Sequence, residues 1–274
     1  MSTMLAIGDK VIPQDIFDGS IVTLPPTQEV FDFLNHARKI AEQIFDSPLE
    51  EIETKVGDDN RVFIERATAT KTAFTDGEET QVLMKKLIAS RYSAELLPHM
   101  IYDKPRLRII PNSKFLSAGI SYNYKPHRET WYGHLHEQIN HWMPLCNASA
   151  DSTFYLSMAY FNRPVKNNSD IFDLDTWDQK FRKTANEMIG KDDRPHPVPS
   201  EDIPKEEQYL IVMPAGYEIA FSGHHLHGSA ENTTNKVRFS LDYRTVIQLD
   251  GYTYPANIDS RATGDLKKYM LAAI

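Results

Sequence analysis

From position 106 onward the chain is cut into short segments rich in aromatic and β-branched residues: 106–110, 115–124, 138–145, 154–160, 209–213, 217–221 and 236–247. Prolines, glycines and asparagines punctuate them. Short strands joined by turns, without a helical pattern between each pair, favour an antiparallel sandwich or barrel over alternating βαβ units. The last segment shows the alternation best. Arg238, Ser240, Asp242 and Arg244 share one parity, and Val237, Phe239, Leu241 and Tyr243 share the other, so one face is apolar and the other polar. A polar face can merely meet solvent, as antiparallel sheets usually allow.

The first third has a different texture. Thr27 follows Pro25-Pro26 and opens a stretch to position 45 in which Val30, Phe31, Phe33, Leu34, Ala37, Ile40, Ala41 and Ile44 recur at helical spacing. A second helical pattern covers 78–92, and 61–66 reads as a short strand. With 274 residues, the expectation is one domain: a helical buttress (1–104), a β core (105–248) and a C-terminal extension (249–274). Within the core, 161–208 is an insertion with a helix near 176–189 and the proline-rich, charged run RPHPVPSEDIPKEEQ. Long insertions of this kind often act as lids over sites.

Bulk properties exclude several functions. A net charge of −8 and no Lys/Arg-rich stripe make nucleic acid a poor partner. The lone Cys146 has no disulfide partner, the start MSTMLAIGDK lacks the basic and apolar regions of a signal peptide, and no apolar run approaches the ~18 residues of a spanning helix. These features predict a soluble cytoplasmic protein, monomeric or homodimeric, that acts on a small molecule and not at a membrane.

Seven of the ten histidines fall in two windows, 127–141 and 224–227. In extended backbone His127 and Glu129 project to one face while Arg128 points away. Downstream, His227 precedes Arg238 by eleven positions, with Ser240 two further on. Two imidazoles and one carboxylate leave about three of six octahedral positions open, the arrangement of non-haem Fe(II) oxygenases. The open positions would suit a 2-oxo acid and O2. The far carboxylate of 2-oxoglutarate needs a permanent cation, and a planar guanidinium grips it in bidentate fashion; Arg238 fits that role.

At these residues the sequence resembles the phytanoyl-CoA dioxygenase-like group of Fe(II)/2-oxoglutarate oxygenases, through His127-x-Glu129, the turn His227-Gly-Ser-Ala-Glu-Asn232, and Arg238-x-Ser240. The phrases PHRETWYGHLHEQINHWMPL and FSGHHLHGSAENTTNKVRFSLDYRTV look like a bacterial branch working on small biosynthetic metabolites. The likeness covers about 105–248 and implies a double-stranded β-helix, the jelly-roll core of the cupins, within a mainly β, α+β fold. It implies His127, Glu129 and His227 as metal ligands and catalytic residues, Fe(II), 2-oxoglutarate and O2 as cofactor and co-substrates, and release of succinate and CO2. One departure is that the usual acidic ligand is Asp, where this chain has Glu129. Related halogenases replace that carboxylate with a small residue, so Glu129 argues against halogenation.

Further candidates are Gln138 and Asn140, whose amides share a face and suit 2-oxoglutarate or substrate, and Tyr124, Trp131, Trp142 and Arg244 for contact with substrate. Arg244 is an anchor for an acidic group or else half of a structural ion pair. The roles of His134, His136, His141, His224 and His225 stay open at this point. The expected substrate is a small polar metabolite, amino-acid-derived or sugar-like; hydroxylation, desaturation, cyclisation and dealkylation are all compatible. A non-redox cupin-like metalloenzyme, such as a zinc isomerase or hydrolase, and a non-catalytic jelly-roll binding module also remain open.

Overall fold

The computed structural model describes residues 5–55, 57–264 and 266–273. Strand β1 (Leu5–Ile7), helix α1 (Pro13–Phe17) and strand β2 (Ile21–Leu24) lead into three longer helices, α2 (Gln28–Phe45), α3 (Asn60–Asp76) and α4 (Glu78–Arg91). Thr27 caps α2 by accepting from Val30 N–H, and Val30, Phe33, Leu34, Ala37, Ala41 and Phe45 form its buried stripe. The helix ends where Asp46 turns left-handed at φ 55°. The strand expected over 61–66 is instead the start of α3. Asp59 accepts from Arg61 N–H at the helix start, and Phe63, Ile64, Ala67, Thr70 and Phe74 are buried at helical spacing, so packing overrides the strand preference of Val62-Phe63-Ile64. Among the described residues no helix is long and apolar enough to cross a membrane.

The remaining strands are β3 (Met100–Tyr102), β4 (Arg106–Ile110), β5 (Gln138–Pro144), β6 (Phe154–Ser157), β7 (Tyr209–Leu210), β8 (Glu218–Ser222), β9 (Leu226–Ser229), β10 (Arg238–Ile247) and β11 (Leu271–Ala272). The architecture is mixed α and β. An eight-stranded sheet runs β1-β2-β8-β5-β10-β3-β11, with β4 pairing the first half of β10 on the edge where β3 pairs the second half. Its pairings are antiparallel except β1 with β2. A three-stranded antiparallel sheet, β7-β6-β9, lies apart from it. The strand expected over 115–124 does not form; Gly119–Ser121 makes a 3-10 turn. Gly119 sits at φ 57° there, and a Cβ would stand 2.2 Å from Ala185 O, so the chain turns at a point of close approach that a strand could not supply. The segments at 154–160 and 209–213 are shorter than expected, the first passing into a 3-10 turn at Met158–Tyr160.

The alternation along β10 sets the layers. Val237, Phe239, Leu241 and Tyr243 join Phe33, Ala37, Phe63 and Leu87 of the helices in one apolar cluster; Phe45 meets Phe239 edge-on at 5.8 Å. On the opposite face, Trp142, Ile219 and Phe221 of the large sheet pack with Phe154 and Leu156 of the small one. Burial of each such side chain stabilises the fold by roughly 1.5–3 kcal/mol. The helix-side layer also holds a buried polar network. Arg91 pairs with Glu218 at 2.7 Å, and His141 Nδ1 and Tyr243 O–H both donate to Glu218 Oε1 at 2.6 Å. Tyr92 and His141 meet at 2.8 Å.

The excursion between β6 and β7 is largely irregular. Its expected helix appears as a short α-turn at Leu174–Thr176 that loosens into a π-turn at Trp177–Phe181 and a 3-10 stretch at Arg182–Glu187.

Candidate metal and anion site

Between the two sheets lies a cavity of about 1040 Å³, counted with its open mouth. The even-numbered residues of β10 form its floor, with Asn140 and Trp142 of β5 and Arg106 and Arg108 of β4 beside them. His227 and Ser229 of β9 face them, and Phe172, Leu174, Trp177 and Arg182 of the excursion close a side.

Backbone pairing brings the two leading histidines together. His227 stands opposite Leu156 of β6 and, on its other side, opposite His127. His127 N–H donates to His227 O at 2.8 Å and His227 N–H to His127 O at 2.9 Å. Residues paired this way project to one face, and the two rings lie 4.3 Å apart. Arg128 is extended (φ −106°, ψ 149°), so the carboxylate of Glu129 returns to the face of His127. Glu129 N–H donates to Gly223 O at 3.0 Å, and the 3-10 turn Glu129–Tyr132 ends at Gly133, left-handed at φ 71°. A Cβ on Gly133 would lie 2.8 Å from Thr263 O.

Hydrogen bonding orients both rings. His127 Nδ1 lies 2.8 Å from Lys125 O and His227 Nδ1 2.9 Å from His225 O. A carbonyl only accepts, so each Nδ1 donates, and in the neutral ring this leaves Nε2 as the lone-pair atom on the side of Glu129. Burial, then the neighbouring His227, push the His127 pKa down to about 4, which keeps its ring neutral. Glu129 Oε1 lies 3.4 Å from His227 Nε2 and 3.8 Å from His127 Nε2. One potential ligand atom from each of the three residues falls within 4.8 Å of the others.

The other carboxylate oxygen is committed elsewhere. Glu129 Oε2 accepts from Arg244 Nε at 3.0 Å and lies 2.9 Å from His134 Nδ1. Burial pushes the Glu129 pKa up, but the charge of Arg244 and the contacts of His134 and His127 outweigh it and hold the carboxyl well below its usual range. Arg244 is therefore the partner of Glu129 and of Asp103, at 2.8 Å; the structural ion pair prevails over the free anchor. His134, left without a role by the sequence, orients the carboxylate from five positions downstream because Gly133 turns the chain back. The glycine is the one sequence signal that could have placed it.

The second part of the site lies at the start of β10. Arg238 Nη1 donates to Thr153 O, while its Nε and Ser240 Oγ are buried with no hydrogen-bond partner. Burial and nearby Arg108 lower the Arg238 pKa to about 10, so it stays cationic at neutral pH. Two buried donors left unpaired on the cavity side of one strand match a carboxylate, since orphaned buried polar groups are rare and costly.

Of the other candidates, Asn140, Trp142 and Tyr124 line the cavity. Gln138 lies behind Asn140, donating to its Oδ1 at 2.6 Å and meeting His134 at 2.9 Å. Trp131 is displaced from the expected position: it packs with Tyr160, Val165 and Leu226, away from the cavity, and donates to Asp259 at 2.8 Å. The 3-10 turn begun by Glu129 carries its ring to the far side. His136 and His224 pair with each other at 2.9 Å, and His225 meets Ser222 O and Gly19 O, all outside the cavity lining. Arg106 and Arg108 of Arg106-Leu-Arg-Ile-Ile also line the cavity, and their period of two in the sequence is the signal of a strand with one basic face.

Arg128, between two of the three converging residues, points the other way. Its Nε donates to Asp259 Oδ2 at 2.9 Å, and its other nitrogens to the carbonyls of Tyr160 and Arg163, each at 2.7 Å, and of His224. Asp259 also accepts from Val165 N–H at 3.0 Å, so the C-terminal stretch anchors the segment that carries the site.

No family model matches the chain, and no curated protein matches it. Solved structures similar to it include EvdO2 from Micromonospora carbonacea var. aurantiaca complexed with 2-oxoglutarate, at 11% identity over 85% of this chain and 89% of that one, TM-score 0.45. Two others are the apo non-heme monooxygenase ThoJ, at 12% over 87% and 82%, TM-score 0.42, and SnoN, a non-heme alpha ketoglutarate dependent epimerase from nogalamycin biosynthesis, at 12% over 89% and 91%, TM-score 0.38. With TM-scores below 0.5 these likenesses carry no argument about function.

Proposed function

We propose that the chain is a mononuclear non-haem iron(II), 2-oxoglutarate-dependent oxygenase of the phytanoyl-CoA dioxygenase-like kind, with a double-stranded β-helix core, acting on a small metabolite. His127, Glu129 and His227 would hold the metal, and Arg238 with Ser240 the far carboxylate of 2-oxoglutarate. The observation that carries this reading is a pairing of two features in one cavity. Two bare imidazole Nε2 atoms and one carboxylate oxygen converge, and two unpaired buried donors wait elsewhere on its wall.

Iron, 2-oxoglutarate and O2 together supply a two-electron oxidation of the substrate, with release of succinate and CO2. The residues of the chain supply position. Lys125 O and His225 O hold the rings as Nε2 donors. Arg244 and His134 fix Glu129 so that Oε1 faces the histidines. Such outer contacts orient ligands and set their basicity. Tyr124 and Tyr132, with rings 5.3 and 5.1 Å from that of His127, wall that side of the site.

The test is an anaerobic titration of the purified protein with Fe(II) and 2-oxoglutarate, followed by the visible band of the chelate. The wild type should develop the band and His227→Ala should not. Arg238→Gln should still bind metal but need at least about tenfold more 2-oxoglutarate, the loss of one charge-assisted contact. A wild type that binds Fe(II) yet never responds to 2-oxoglutarate would refute the proposal.

A further inference from the structure

The cavity wall is unevenly charged. Five arginines line it, Arg106, Arg108, Arg182, Arg238 and Arg244, against two carboxylates, Glu129 and Asp242. Three of the five are accounted for. Arg244 serves Glu129 and Asp103. Arg108 pairs with Asp242 and lies 5.3 Å over the Tyr124 ring. Arg238 stands with Ser240 in the 2-oxoglutarate clamp proposed above.

Arg106 is different. Its ion-pair contact is Asp103 Oδ2 at 3.3 Å, an oxygen that Arg244 Nη1 already holds at 2.8 Å. One carboxylate is thus divided between two guanidinium groups. Arg182, from the excursion, pairs with Asp178 one helical turn away and remains 39% exposed.

We infer that Arg106, assisted by Arg182, anchors an acidic group of the substrate, and that the substrate is a small carboxylic acid with a flat, largely apolar body; this rests on the oxygenase reading. A single undercompensated guanidinium matches a monoanion better than a doubly charged phosphate. Burial, with Arg244, Arg108 and Arg182 nearby and Asp103 opposing, lowers the Arg106 pKa to about 10, although its side chain keeps 30% of its surface exposed. The flat body follows from the walls, where Tyr122, Tyr124, Phe172 and Trp177 present rings to the cavity. The two anion sites are separate. Arg106 pairs across the sheet with Asp242 and Arg238 with Ile110, four residues apart along the strand, or roughly 13 Å. Arg106 thereby lies towards Arg244 and Glu129, where an acid held by its carboxylate would bring its body beside the three converging residues.

The test uses full-length protein loaded with Mn(II), which supports no turnover, and titrates benzoate and its uncharged isostere benzamide by calorimetry, with and without saturating 2-oxoglutarate. Benzoate should bind in the presence of 2-oxoglutarate, and benzamide at least about tenfold more weakly. Arg106→Gln should weaken benzoate by a similar factor, Arg106→Lys by less, and Arg182→Gln by a smaller factor still, all with unchanged 2-oxoglutarate affinity and melting temperature. No benzoate binding, equal binding of the two probes, displacement of benzoate by 2-oxoglutarate, or an Arg106→Gln variant as avid as wild type would each overturn the inference. Failure of the wild type to bind 2-oxoglutarate would instead be the failure of the underlying oxygenase reading, and is scored by that separate titration.

Discussion

Replacing Asp259 by alanine should destabilise the protein severely even though the residue touches none of the three converging side chains. Arg128 is fully buried, and Asp259, whose side chain is 5% exposed, is the carboxylate paired with it. Removing one partner of a buried ion pair costs about 3–5 kcal/mol, because a charge is left without compensation. Arg128 would keep its backbone acceptors at Tyr160, Arg163 and His224, which favours the low end of that range. The Trp131 indole N–H and Val165 N–H lose acceptors as well, at about 1 kcal/mol or more each where no water reaches them. A total of about 5 kcal/mol follows, equivalent to a fall in Tm of very roughly 10 °C for a chain of this size. Urea unfolding with far-UV circular dichroism measures the first quantity and calorimetry the second. The mechanism carries its own control: with the cation also removed, Asp259→Ala/Arg128→Met should recover much of the loss, as apolar replacements of buried pairs do. A loss below about 1 kcal/mol, or a double variant no more stable than the single one, would refute the reasoning.

Arg244→Gln should release Glu129 Oε2 and weaken Mn(II) binding about 10- to 100-fold, read by calorimetry, while the imidazole contacts persist. Gly133→Ala forces a side chain into a left-handed turn against Thr263 O and should cost about 1–3 kcal/mol in urea unfolding. Acid stability should depend on Glu218, whose burial raises its pKa but whose contacts with His141, Arg91 and Tyr243 outweigh this and hold it at about 2, below the ordinary 4.5. Its stabilisation is complete above pH 4.5 and drains away as pH falls towards 2; Glu218→Gln should flatten that limb of the stability curve, and an unchanged limb would contradict the assignment.

The parts of the fold legible in the sequence are those written by local periodicity. The stripe of α2 and the alternation of β10 each have one environment per face, and the pattern records it. The approach of Glu129 to the face of His127 was legible for a related reason, since two-residue spacing in extended backbone is a local constraint, whereas His227 was marked by its spacing to Arg238 and the family resemblance and not by any local rule that brings it to His127. What escaped depended on distant partners. Helix α3 hides behind Val62-Phe63-Ile64, whose strand preference is reversed only by the surfaces of α2 and the sheet. Trp131 and Arg128 are directed by Asp259, far along the chain. The commitment of Arg244 to Glu129 joins residues 115 positions apart, and no spacing rule connects those.

The bridge between His127 and His227 joins residues one hundred positions apart by two ordinary backbone hydrogen bonds. Closing a loop of that length carries an entropic cost of several kcal/mol, and folding meets it before any ligand arrives. A metal ion entering here would not have to gather its ligands. Its affinity would then be spent on coordination alone, and tightness of binding would report the integrity of the small sheet as directly as it reports the chemistry of two imidazoles.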